Sequence, residues 1–86
     1  MENLYSSQCE FPLPDLPTGT DVQILRLESA GLSRRRMLDL GLIPGTQINI
    51  VRKSPLGDPI VYKIRGAFIA LRKEESANIF VRPIVN

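Results

Sequence analysis

Arg34-Arg35-Arg36-Met37-Leu38-Asp39-Leu40-Gly41-Leu42-Ile43-Pro44-Gly45-Thr46 runs a basic, apolar-spaced segment into a glycine and then a proline-glycine pair. Pro55-Leu56-Gly57-Asp58-Pro59 follows one strand later. Ser33 is suited to start a helix, and Met37, Leu38 and Leu40 to Leu42 recur about one turn apart. Gly41 is suited to the left-handed residue that closes a helix. The pattern predicts one short helix over 33–40, with Leu38 facing the core. Arginines in its first turn oppose the helix dipole by about 0.3 to 1 kcal/mol each. Two readings account for them: good helix formers solvating a surface, or a basic patch for an acidic partner.

Pro44-Gly45 fits the centre of a type II turn, proline fixing the first dihedral and glycine accepting the positive one. Beyond it, Ile48 and Ile50 alternate with Gln47, Asn49 and Arg52, as in a strand with one buried and one wet face. Ile60, Tyr62 and Ile64 alternate with Val61, Lys63 and Arg65, so these two strands are expected to pair antiparallel across a hairpin loop at 53–59. Gly66 supplies the next turn. Phe68 and Ala70 occupy one face of a following strand, Ile69 and Leu71 the other. Arg72 to Ala77 reads as a single helical turn before Ile79 to Val81.

Upstream, Val22, Ile24 and Leu25 to Leu27 form a first strand from Asp21. Residues 1–20 hold Pro12, Pro14, Pro17 and Gly19 and read as an extended lead-in, with 1–12 an arm and 13–86 the domain. Five short strands in so small a chain resolve their edges by curling. The expected fold is mostly β, a small SH3-like antiparallel barrel with one short helix after the first strand.

Composition excludes more than it selects. With 86 residues, 43% of them hydrophobic and 23% charged, the chain is one ordinary globular domain. A domain of this size buries only roughly 60 to 65% of its unfolded surface, which leaves little room for a deep substrate cleft. Its net charge of +2 is far from the clustered field of a typical nucleic-acid domain. One cysteine, Cys9, makes no internal disulfide, and the first residues lack the basic start and apolar run of a secretory signal. A cytoplasmic location is expected. No apolar run approaches the roughly 20 residues needed to span a bilayer.

Catalysis finds no base: histidine is absent, so Ser33 and Cys9 have no imidazole partner. Gly57 lacks the glycine run, lysine and hydroxyl of a phosphate loop. Tyr62 and Phe68, with Arg52, Lys53, Arg65 and Arg72 nearby, suggest a stacking surface for bases, but alternating strand positions more often place such rings in the core. These features favour a recognition module over an enzyme.

The run Arg35 to Gly45, with Leu38, Leu40-Gly41 and Pro44-Gly45, resembles the FeoA family of ferrous iron transport proteins. So do Pro55-Leu56-Gly57-Asp58-Pro59 and Gly66 followed by Ile69-Ala70-Leu71-Arg72-Lys73-Glu74-Glu75. The resemblance covers about residues 13 to 85 and extends to the carboxy-terminal SH3-like domain of metal-dependent repressors. Ser76 stands where the family pattern commonly has alanine. Ala67 stands where an aromatic often follows the glycine, and Phe68 comes one step later.

The resemblance implies an SH3-like barrel acting as a cytoplasmic accessory of FeoB, a membrane ferrous iron transporter with a GTPase domain, and reaching the inner membrane only through it. Arg34, Arg35, Arg36, Pro55, Leu56 and Asp58 are the candidate contact residues. Gly41, Pro44, Gly45, Gly57 and Gly66 are expected to fix turns. No cofactor is expected, and tight iron binding is not: a carboxylate site from Asp58, Glu74 and Glu75 is conceivable, but adjacent Glu74 and Glu75 point in different directions, and solvated surface charge is the better reading. A stand-alone SH3-like regulatory module that binds a proline-containing segment or another copy of itself, and a nucleic-acid-binding barrel, are the alternatives.

Overall fold

The computed structural model describes residues 10–84, so Cys9 and most of the expected arm lie outside them. Six strands form one antiparallel sheet: β1 (Phe11–Pro12), β2 (Asp21–Leu27), β3 (Gln47–Lys53), β4 (Ile60–Ile64), β5 (Ala67–Leu71) and β6 (Ile79–Pro83). Helix α1 (Gly31–Asp39) follows β2, and a single turn, α2 (Lys73–Ser76), precedes β6. The spatial order is β1-β6-β2-β3-β4-β5. The fold class expected from the sequence holds, with one difference of form. The sheet is curled but not closed by strand pairing, and β1 and β5 are its two ends.

The curl has a local cause. Register shifts lie between Ile24 and Arg26 in β2 and between Ile50 and Arg52 in β3, leaving Leu25 and Val51 as the extra residues. A bulged strand bends and twists more strongly. The bulge in β2 also brings Ile24 and Leu27, three apart in sequence, to the same buried side. Inside the bend lie Val22, Ile24, Ile48, Ile50, Ile60, Tyr62, Ile64, Leu71, Ile79 and Val81, all at most 2% exposed.

Two expectations about the ends of the core are corrected. The lead-in is not merely extended. Phe11 and Pro12 pair with Val81 and Phe80, so a sixth strand begins within the segment read as an arm. Leu13–Asp15 then forms a 3-10 turn that puts Leu13 wholly inside. The Lys53 ammonium donates to the Pro14 carbonyl at 3.2 Å, and the Gly19 amide donates to Ile50 at 2.7 Å, binding this segment to β3.

The helix also starts earlier than Ser33. Gly31, at φ +62°, turns the chain out of β2, and Ala30 is the cap, with no side chain closing the first turn. The buried helical residue is Met37, not Leu38, which is 37% exposed. Adjacent helical residues project about 100° apart, so only one of the two can point inward. The end of α1 decides which. The Leu42 amide donates to Met37 and the Gly41 amide to Leu38, both at 3.0 Å, in the paired pattern of a Schellman stop, and Leu42 and Met37 are both fully buried. Gly41 has φ +90°.

The Ile43–Thr46 turn closes by a bond from the Thr46 amide to Ile43 at 3.1 Å, with Gly45 at φ +93°, as the proline-glycine pair indicated. Between β4 and β5, Arg65 and Gly66 both have positive φ, 50° and 82°, giving the two-residue type I′ hairpin whose twist matches its strands.

Tyr62 is fully buried, and no hydrogen bond of good geometry reaches its hydroxyl among the described residues. Burial pushes this phenol up to about 12, opposed by the Ser76 hydroxyl and reinforced by Asp58. The neutral form is favoured in the fold, whereas the unfolded phenol ionises near 10. The associated stability, roughly 2 to 3 kcal/mol, is therefore intact below pH 10 and is lost as pH rises towards 12. Comparing chemical denaturation of Tyr62→Phe and the native chain across pH 9 to 12 checks this. The variant should lose the excess slope and, with no bonded partner stranded, cost less than about 1 kcal/mol at pH 7.

The helix register gives a second expectation. Met37→Ala should cost about 2 to 5 kcal/mol and Gly41→Ala about 1 to 2 kcal/mol from backbone strain alone. Leu38→Glu should leave the chain folded. Urea midpoints of the three variants read the order directly, and an unfolded Leu38→Glu protein would restore Leu38 to the core.

Candidate functional site

The three arginines of α1 do not form one free patch. Arg34 lies one turn inside the helix start and donates to the Leu27 carbonyl at 3.3 Å, holding the uncapped end of α1 against β2. Arg36 forms an ion pair with Glu75 of α2, whose side chain is only 20% exposed. Arg35 has no hydrogen bond or ion pair among the described residues and is exposed. Leu32, three residues before Arg35 and so on the same side of the helix, is 85% exposed. Sequence reasoning passed over Leu32. Its signal was an apolar residue in the first helical turn, out of phase with Met37.

Glu75 is tied into the fold. Its Oε2 pairs with Arg36 and its Oε1 accepts the Arg72 amide at 3.1 Å, so Glu75 caps the first turn of α2. The spacing Arg72-x-x-Glu75 was the available clue. At the same end of α2, the Lys73 amide donates to Asp58 Oδ1 at 2.8 Å. The carboxylate sits on the positive end of the turn, where it stabilises the uncapped amides. Ser76 is fully buried, and its hydroxyl donates to the carbonyls of Arg72 and Lys73, both at 3.3 Å, so the polar group that replaces alanine is satisfied locally.

The hairpin loop is closed on itself. The Ser54 amide and hydroxyl both reach the Pro59 carbonyl, at 3.1 and 2.7 Å, and the Gly57 amide donates to Ser54 at 2.7 Å. Gly57 has φ +84°, and the Asp58–Pro59 peptide is cis. This frame holds Pro55 at the surface and leaves Leu56 95% exposed. α2 therefore links the two segments singled out in the sequence: α1 through Arg36 and Glu75, the loop through Lys73 and Asp58. On this surface Leu32, Arg35, Pro55 and Leu56 are exposed and have no side-chain hydrogen bond or ion pair among the described residues. Arg34, Arg36 and Asp58 hold the surface in shape.

A second surface lies on the outer face of β3, β4 and β5. Tyr62 is core, but Phe68 is 65% exposed, contrary to the core reading, with the Lys63 ammonium 5.7 Å from its ring centre. Phe68 stands directly opposite Lys63 on the face away from Ile69 and Leu71. Beside it, Lys63, Arg65 and Gly66 border an open cleft of about 480 Å³ that continues over Thr46, Asn49 and Asp21. Asn49 donates to Asp21 at 2.7 Å across this cleft. No group of three or more cysteine, aspartate or glutamate side chains converges as metal ligands among the described residues, and none of the described helices is long and apolar enough to cross a membrane.

Comparison with known proteins places these features in a family. The model of the FeoA domain matches residues 11–83. A Porphyromonas gingivalis protein, a fusion of Fe(2+) transport protein A with the Fe(2+) transporter FeoB, is 39% identical over 72 residues. The match covers 84% of this chain and 8% of the fusion protein. The solution structure of iron(II) transport protein A from Clostridium thermocellum superposes with a TM-score of 0.83 at 40% identity, over 86% of this chain and 46% of that one. Stenotrophomonas maltophilia FeoA complexed with zinc, described as a procaryotic SH3 domain protein, gives 0.71 at 26% identity over 80% and 86% of the two chains. A manganese-dependent transcriptional repressor gives 0.79 at 16% identity over 87% and 42%, a likeness of fold alone. The chain thus spans less than half of the fusion protein and of the Clostridium thermocellum chain, and with the FeoA model matched from β1 to β6, it belongs to the FeoA family.

Proposed function

We propose that this domain is an accessory of ferrous iron uptake that docks on the cytoplasmic side of a FeoB-type membrane transporter and regulates it without chemistry of its own. The observation that carries this reading is the 39% identity to a protein in which the equivalent domain and the transporter are one chain. A covalent tether keeps two modules at high effective concentration, which is useful when they must meet. The domain reaches the inner membrane only through that partner.

The α1, α2 and loop surface supports docking on physical grounds. Leu32 and Leu56 offer apolar side chains from elements already held rigid, which lowers the ordering cost of binding. Arg35 lies beside Leu32 with its charge unpaired among the described residues, suited to an acidic group at the rim of a contact, where charges govern encounter and register. Arg34, Arg36, Pro55 and Asp58 complete the surface from the positions described above. In this reading ferrous iron is the transporter's cargo, and the domain needs no ligands for it.

The test is affinity capture of a FeoB-type transporter in mild detergent by the native chain, by Arg34→Glu/Arg35→Glu, and by Leu32→Asp/Leu56→Asp. Retention should fall about ten-fold or more in each folded variant, the arginine variant showing the weaker salt dependence. Unchanged capture by both would remove this surface from the interface. Capture of a soluble repressor in place of the transporter would favour the regulatory module that the fold likeness also allows.

A further inference from the structure

Among the described residues, β5 ends the strand order and no strand pairs with its outer side. In the two-residue hairpin, Ile64 and Ala67 form the hydrogen-bonded pair next to the turn, so Ile69 and Leu71 also bond inward to β4. The amides and carbonyls of Phe68 and Ala70 therefore point away from the sheet. Among the described residues, no turn, loop or cap hydrogen bond engages them. Ala67, Phe68 and Ala70 are exposed, and β5 carries none of the usual protection of a free edge: no proline, no charge and no bulge within Ala67–Leu71. Such an edge adds a strand readily unless something specific covers it.

The surroundings select the occupant. Lys63 and Arg65 sit at the turn end of β5 and border the cleft, while Arg72 follows its other end. No acidic residue lies on β4 or β5, and the acidic residue that lines the cleft, Asp21, already accepts a hydrogen bond from Asn49. A second copy pairing antiparallel about Ile69 would set Arg65 opposite Lys73 and Gly66 opposite Arg72, like charges at both ends. A segment with carboxylates meets the opposite situation. We propose that the β5 edge binds an extended acidic segment of another protein by strand addition, its backbone bonding Phe68 and Ala70, an apolar side chain covering the Phe68 ring, and a carboxylate entering the cleft between Lys63 and Arg65. This contact is separate from the α1 and loop surface and does not depend on which protein supplies the segment.

The test uses the full ¹⁵N-labelled chain and a blocked eight-residue peptide alternating valine and glutamate, with the valine and lysine version as control. Adding the acidic peptide should shift the Phe68 and Ala70 amides and slow their hydrogen exchange, while Arg35 and Leu56 stay unmoved. Lys63→Glu/Arg65→Asn should weaken binding at least ten-fold, asparagine tolerating the positive φ at the turn. Ala70→Pro deletes an outward amide and leaves the β4 ladder its bonds, so it should abolish binding in a chain that keeps its spectrum. If that variant misfolds, the charge variant carries the test. Absent protection at β5, equal binding of the lysine peptide, or protection that grows with protein concentration alone would overturn the proposal. The last result would assign the edge to a second copy. A single-stranded oligonucleotide that moves Phe68 where the acidic peptide does not would overturn it in favour of nucleic acid.

Discussion

A single sheet with helices that bury little has to make its own interior, and it can do so only by bending. The two bulges, at Leu25 in β2 and Val51 in β3, meet that constraint. Without them the alternating isoleucines of β2, β3 and β4 would face outward from a flat ribbon, because one buried face needs a second to cover it. With them the ribbon covers itself, and Leu13, Met37 and Leu42 fill the mouth of the bend. α1 gives that interior one fully buried residue, and the rest of its length remains at the surface.

The same economy explains why a four-residue turn matters so much. α2 has too few residues to be stable alone, since helix nucleation is unfavourable and short helices rely on caps and tertiary contacts. Its stability is supplied from three directions: Glu75 capping inside the turn, Asp58 on its positive end, and Ser76 buried beneath it. Each exposed ion pair or cap contributes little, about 1 kcal/mol or less. Their value is geometric, because α1 and the Pro55–Leu56 tip are each referred to the same small element.

Where periodicity was clean, the sequence was readable. Ile48 and Ile50, Ile60, Tyr62 and Ile64, and the stops at Gly41, Gly45 and Gly66 led to β3, β4, the end of α1 and the hairpin, because alternation and left-handed glycine are local properties. Met37 against Leu38 was not readable, since two neighbouring apolar residues compete for one inward direction and a Schellman contact formed with Leu42 decides it. Phe68 was misread because its strand has a covered face on one side only, and edge position is a property of the whole sheet. Leu13 and β1 were hidden by prolines, which mark a break in regular structure but not burial. At the candidate site, the sequence singled out the α1 and loop segments. It did not separate Arg35, unpaired among the described residues, from Arg34 and Arg36, whose partners come from β2 and α2.

The pairing of β1 with β6 also bears on how such a domain is carried by a larger chain. Phe11 lies across from Val81, so both ends of the described fold leave from one extreme of the strand order, while β5 forms the other. A linker attached at either end would pull on the same two strands and leave the β4–β5 hairpin unloaded. Tethering at these ends and strand addition at the far edge would thereby be mechanically separate, and a domain of this form can be joined to another polypeptide from its front or its back without loading β5.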